Sequence, residues 1–167
     1  MIDKILVAIT DSGSNSYIFD HALILAKATG AHLGLIHVTD PDETSQEMPA
    51  YLNTLKPYLS GEDESEPYCY VGQFETFEPD LFGEYVSKAK VEGVHTECVH
   101  CFGDPERAIT DFASEWNPNL IVLGRRRRSG IAEFFLGSVS NYTLHHAQCS
   151  VYIVHEPISA IQKEIKA

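Results

Sequence analysis

No glycine–lysine–serine or glycine–lysine–threonine run occurs in the chain, so a Walker-type phosphate loop is absent. Basic residues are scarce: 12 lysines and arginines stand against 24 aspartates and glutamates, a formal net charge of −12. That balance opposes general attraction to DNA, RNA or anionic membranes. Long apolar runs are also missing, and LGLIHV and LIVLG are far too short to cross a bilayer. The opening MIDKILVAIT enters an apolar run with no basic region and long hydrophobic segment, so no signal peptide is read and a cytoplasmic location is expected. Cysteines number only four, Cys69, Cys98, Cys101 and Cys149. Cys98 and Cys101 form a C-x-x-C, but HTECVHCF reads as a strand, where residues three apart point to opposite faces. A thioredoxin-like pair would open a helix, and zinc would need a second ligand pair; His95 and His100 nearby are possible ligands. Reduced structural thiols and no metal site are the expectation.

What is present suits one domain: 167 residues, 44% of them hydrophobic, can bury a core without staples. KILVAIT, 4–10, is a short apolar run that ends in the turn and cap residues Thr10, Asp11, Ser12 and Gly13. Helical spacing follows over about 15–29, with Ile18, Ala22, Leu25 and Ala26 on one side and Gly30 closing it. HLGLIHV, 32–38, reads as a second strand. Residues 40–79 interrupt the rhythm with acidic residues, prolines and serines, and read as a partly mobile insertion with a short helix near 50–59. Its tyrosines at 51, 58, 68 and 70 could dock it on the body or on a protein partner, or it could be surface decoration. A helix over 79–92, a strand at 95–102 and a helix opened by Asp104 and Pro105 come next. The last of these carries Ile109, Phe112, Ala113 and Trp116 on one face and stops at Asn117–Pro118. LIVLG, 120–124, a helix over about 138–147 and SVYIVHE, 150–156, complete the domain, with 157–167 as a tail.

Apolar strands alternating with helices predict a doubly wound α/β domain over 1–156, built on a single mainly parallel five-stranded sheet with helices on both faces. Ligands of such folds bind beyond the carboxyl ends of the strands, near a switch in strand order. The segments after Thr10, at Val38 and after Leu123 all lie at those ends. GRRRRSGIAEFFLGSVS, 124–140, offers Gly124 directly after a strand and Gly137–Ser138 at a helix opening, where free amides and the helix dipole favour an anion. Ser138 and Ser140 add hydroxyls. Asp11 would more naturally meet a ribose hydroxyl, an amine or a metal, or it caps the first helix; Ser138 could equally be a plain N-cap, and the two glycines plain turn residues. Arg125 to Arg128 form a positive island that either solvates a loop or meets an anion. His145 and His146, late in the last helix, suit its negative end and carry no site assignment.

The sequence resembles the universal stress protein family over nearly its whole length. KILVAIT is similar to the family's first strand, LGLIHV to its second, and GDPERAITDFASEWNPNLIVLG to its third helix and fourth strand. RSGIAEFFLGSVSNYTLHHAQCSVYIV is similar to its C-terminal signature, and only 40–79 is longer than usual. The nucleotide-binding branch carries G-x2-G-x9-G-[S/T], which here falls on Gly124, Arg127, Gly137 and Ser138, with arginine in place of the second glycine. The resemblance implies adenine and ribose contact from Thr10 or Asp11, with Ser12 beside them, and from Val38. It implies phosphate contact from Gly124, Gly137, Ser138, Val139 and Ser140, largely through the backbone. Leu123 and Arg127 belong to the same ligand-facing set. A side chain at 127 costs backbone strain of order 1 kcal/mol if positive φ is needed there, yet guanidinium groups bind phosphate well.

The function implied is an adenine-nucleotide-binding (ATP or a relative) regulator of the stress response, with little or no hydrolysis and Mg2+ only alongside ATP. The alternative is a stress-response interaction module in which Arg127 fills the pocket. An enzyme is the third reading, since DSGSNS resembles the SGGxDS loop of ATP pyrophosphatases, but Ser14 replaces its second glycine and the catalytic-type aspartate is missing. A homodimer through the last strand, about 150–156, is also implied, the tail 157–167 covering that edge being the other arrangement.

Overall fold

The computed structural model describes residues 1–10, 15–40, 68–72, 79–125 and 136–155. In chain order these form β1 (Lys4–Ile9), α1 (Asn15–Thr29), β2 (His32–Thr39), β3 (Tyr68–Gly72), α2 (Pro79–Val91), β4 (Thr96–Phe102), α3 (Pro105–Trp116), β5 (Leu120–Gly124), α4 (Ser138–His146) and β6 (Ser150–Val154). The six strands make one sheet in the order β3-β4-β2-β1-β5-β6. The five anticipated strands are all present and mutually parallel. A sixth, β3, arises inside the region read as an insertion and pairs antiparallel with β4 at one edge. The short helix expected near 50–59 and the tail 157–167 lie outside the described residues.

Alternate residues of each strand go to opposite cores, which is why the strands are apolar throughout rather than every second residue. Ile5, Val7, Ile9, Leu33, Leu35 and Val122 face α1 and α2, where Phe19, Ala22 and Phe82 are buried. Leu6, Ala8, Ile36, Val99, Ile121 and Leu123 face α3, packing on Ile109, Phe112 and Ala113. Cysteine follows the same rule: Cys98 belongs to the first core and Cys101 to the second.

Helix ends are set by the residues that marked them in the sequence. The Asp104 carboxylate accepts from the Arg107 amide at 3.0 Å, Pro105 opens α3, and Asn117 closes it at φ 55° with its amide on the Ala113 carbonyl. Gly30 ends α1 at φ 74°. Within β2, Gly34 leaves room for the Trp116 indole, since a Cβ there would lie 3.0 Å from it.

The reduced-thiol expectation needs correction. Cys69 and Cys101 are joined by a disulfide, while Cys98 and Cys149 are free. The sequence reading missed this because it left 40–79 without a strand; β3 supplies the partner directly opposite Cys101 in the register.

Candidate functional site

The chain runs from β1 outward through β2 to β4, then returns to β5 on the other side of β1, so the switch in strand order falls between β1 and β5. Thr10 stands at one wall of that crevice and Gly124 at the other. Val7 pairs with Val122 in the register, which brings the two strand ends level.

The β1 wall is locked by a residue that the sequence reading passed over. Asn15, the first residue of α1 and only 8% exposed, accepts from the Thr10 amide at 2.8 Å and from the Thr10 hydroxyl at 3.2 Å, and its own amide donates to the Thr10 carbonyl. This one side chain satisfies polar groups at a strand end that has left the ladder. It also bonds the Tyr85 phenol, whose proton is held more tightly than usual chiefly by burial, then by Glu84 nearby. An asparagine at the start of a helix is the signal that marks it.

On the β5 wall, Gly124 is glycine for a steric reason. A Cβ at this position would stand 2.2 Å from Cδ1 of Ile18 in α1. The Gly124 carbonyl accepts from the Ser140 hydroxyl at 3.3 Å, and the next amide, that of Arg125, continues the ladder to the Val154 carbonyl. Ser140 is 2% exposed, so its hydroxyl ties α4 to β5.

α4 opens without a side-chain cap. Its N-cap is Gly137, at φ −60° and ψ 159°, and Ser138 is the first helical residue, which corrects the reading of Ser138 as N-cap. The first intrahelical bond to form is Asn141 amide to Gly137 carbonyl, so the amides of Ser138, Val139 and Ser140 lie ahead of the helical ladder. Ser138 is exposed and Gly137 half-buried. Nine residues of aligned peptide dipoles stand behind those amides.

Three further positions from the sequence meet in one apolar group: Val38, Leu123 and Val139 all pack in the core on the α3 side. Asp11, Ser12 and Arg127 lie outside the described residues. Beside Val38, on the other face of the sheet, is a polar cluster that the sequence reading did not assemble. His37 Nδ1 lies 3.4 Å from His100 Nε2, the Thr39 hydroxyl lies 2.8 Å from that same nitrogen, and the His100 ring stacks on Phe102. Period-2 spacing, of residues 37 and 39 on β2 and of 100 and 102 on its parallel neighbour β4, was the available signal.

His95 lies just before β4 and His100 near its far end, so they cannot share one ion. His95 instead bonds His32, Nδ1 to Nε2 at 2.8 Å, at the amino ends of the strands. Glu97 approaches His32 at 3.7 Å and accepts from the Trp116 indole at 3.0 Å. Burial first, then the neighbouring His95, holds the His32 pKa below its ordinary value. Among the described residues no group of three or more His, Cys, Asp or Glu is placed to hold a metal ion, and no helix is long and apolar enough to cross a membrane. His146 donates from Nδ1 to the Tyr142 carbonyl at 2.9 Å and stacks on the Tyr142 ring, a local role within α4.

These features define a doubly wound α/β domain with a helix opening that has no side-chain cap beside its switch point. The chain belongs to the universal stress protein family, which it matches over residues 1–155. It is 33% identical to the universal stress protein Sll1388 of Synechocystis over 151 residues, covering 90% of this chain and 96% of that one. Among solved structures it resembles a universal stress protein in complex with cAMP, at TM-score 0.64 and 23% identity, over 93% of this chain and 99% of that one. It also resembles a universal stress family protein from Arabidopsis thaliana with AMP bound, at TM-score 0.58 and 20% identity, over 94% of this chain and 94% of that chain.

Proposed function

We propose that this chain binds an adenine nucleotide at the carboxyl edge of its sheet and acts as a regulator whose state follows occupancy. One observation carries the reading: the uncapped opening of α4 lies against the end of β5, joined to it by Ser140, and across the switch point from Thr10. Three amides ahead of the ladder with a helix dipole behind them suit phosphate. Two solved structures of the same fold hold AMP and cAMP, which supports the adenine class.

The residues described fit such a ligand. Ser138 would meet phosphate through its amide and its hydroxyl, Val139 through its amide, and Ser140 through its amide while its hydroxyl holds the helix in place. Val38, Leu123 and Val139 provide the apolar side of the site. Arg127 replaces the glycine of the family motif and would meet phosphate through its guanidinium; Asp11 and Ser12 would meet ribose. The reading is one of binding with little or no hydrolysis. Mg2+ would enter only with ATP.

A homodimer through β6 is part of the same reading. β6 is a sheet edge, and beside it Ile24 is 66% exposed, next to His21, Leu25 and Tyr152 in a shallow apolar depression. A cytoplasmic location completes it.

Calorimetric titration of the full chain with ATP, AMP and cAMP tests the proposal. Saturable binding of at least one nucleotide with a Kd below the millimolar range is expected, and Arg127→Gly should change that Kd. Absence of saturable binding at millimolar nucleotide in both proteins overturns it in favour of the nucleotide-free interaction module. Sedimentation at micromolar concentration separates dimer from monomer.

A further inference from the structure

The Cys69–Cys101 disulfide joins two strands that already pair, and neither cysteine is among the residues the nucleotide reading uses. We infer that it is a reversible thiol–disulfide exchange site, closed and opened by a low-molecular-mass thiol/disulfide couple, and that its state decides how firmly β3 is held on the sheet.

The two sulfurs differ in access. Cys101 is fully buried in the core on the α3 side, among Val99, Ile36 and Ala108, whereas Cys69 is only half-buried on the edge strand. Attack by an external thiolate is therefore directed to Cys69 Sγ. In that step the Cys69–Cys101 bond breaks, a mixed disulfide forms on Cys69, and the electron pair leaves on Cys101 Sγ, which takes up a proton. A second thiolate then attacks the external sulfur of the mixed disulfide and releases Cys69 as thiolate. The sum is one protein disulfide and two small thiols giving two protein thiols and one small disulfide; the reverse sequence closes the bond. The buried Cys101 thiol, held opposite Cys69 by the strand register, is the resolving group for closure.

No internal cysteine competes. Cys98 lies on the same strand as Cys101 but in the core on the other face of the sheet. Cys149 precedes β6, at the opposite edge of the sheet from β3, and burial raises the pKa of its thiol.

The consequence follows from topology. β3 has five residues and, among the described residues, is the one antiparallel strand and pairs with β4 alone. A short edge strand has few bonds to retain it, so a covalent link to its neighbour contributes a large share of its hold. The link falls on the row Val38–Cys101–Cys69 across β2, β4 and β3.

The full chain is equilibrated in glutathione buffers of graded reduced-to-oxidised ratio, quenched in acid, denatured and labelled with N-ethylmaleimide. Two free cysteines and one disulfide predict two labels per chain at the oxidising end, rising to four at the reducing end along a single reversible curve. Hydrogen exchange read by mass spectrometry on the same samples is expected to quicken by about tenfold or more at 68–72 on reduction, with β1 and β5 unchanged. Cys69→Ser, which alters the half-buried partner and leaves the core cysteine in place, is expected to show the fast β3 exchange in every buffer. Four labels in all buffers, two labels in all buffers, or β3 exchange indifferent to redox state overturns the proposal. Nucleotide titration is not part of the readout, so failure of the nucleotide reading leaves this result standing.

Discussion

The Ser140 hydroxyl donates to the Gly124 carbonyl at 3.3 Å, and that bond connects the last residue of β5 to the first turn of α4. The two serines of the helix opening therefore have separate duties. Ser140 is buried and positions the helix; Ser138 is exposed and, in the proposed reading, is the one that meets the ligand. Ser140→Ala is expected to lower stability by about 1 kcal/mol, the worth of a buried neutral hydrogen bond. Ser138→Ala should leave stability within about 0.5 kcal/mol while weakening nucleotide binding. Urea unfolding of both variants, with titration of AMP, checks the division.

Gly124 and Ile18 form a second coupled pair. With the would-be Cβ 2.2 Å from Ile18 Cδ1, Gly124→Ala forces that side chain from its well in a filled core. A cost of about 1–3 kcal/mol is expected from overpacking. Ile18→Val removes the offending methyl and alone costs about 0.5–1.5 kcal/mol. In the double variant the two losses should sum to less than their separate values, because the clash has gone. Strict additivity in a double-mutant cycle would show that Ile18 is not what excludes a side chain here.

Asn15 carries more of the β1–α1 turn than any other described residue. It meets the amide, hydroxyl and carbonyl of Thr10, so truncation leaves several polar groups at a part-buried turn without their partner. Asn15→Ala is expected to cost about 1–3 kcal/mol, and to weaken nucleotide binding beyond what Thr10→Ala does, since the whole strand end is released. Thermal unfolding and titration of the two variants side by side provide the comparison.

The fold was legible in the sequence to a large degree, and the reason is periodicity. Continuous apolar strands such as KILVAI and LIVLG state burial on two faces, and Asp104–Pro105 and Asn117 state where α3 begins and ends. β3 was not legible: YCYVG lies after a long acidic and proline-bearing stretch, and an edge strand needs little apolar patterning because only its neighbour defines it. The disulfide was lost with it. For the candidate site, Gly124, Val38, Leu123, Val139 and Ser140 were singled out by their position at strand ends and in the family motif, and the fold gathers Val38, Leu123 and Val139 into one apolar group. What sequence could not separate was motive. Gly124 yields to Ile18 from a helix more than 100 positions away, and Ser140 turns its hydroxyl to a carbonyl rather than outward. Those distinctions depend on which side chains the fold brings against them, and no local pattern encodes that.

Acid sensitivity should trace in part to His32. Its pKa is lowered from the ordinary value of 6.5, first by burial, then by His95, with Lys4 acting in the same sense and Glu97 opposing them. The unfolded chain, where His32 titrates near 6.5, thus binds its proton more readily than the folded one. The contribution to stability is complete above that pH and falls away as pH drops through it towards the lowered folded value. Stability of the natural protein is therefore expected to decline as pH falls below about 6.5, and His32→Asn should flatten that decline by removing the titrating group. Glu97→Gln should steepen it, since the one neighbouring influence that favours the imidazolium is removed. Urea midpoints at several pH values, taken under reducing and oxidising conditions alike, decide the matter. An unchanged slope in His32→Asn would transfer the acid sensitivity to other groups, and the His32–His95 contact would then serve packing alone.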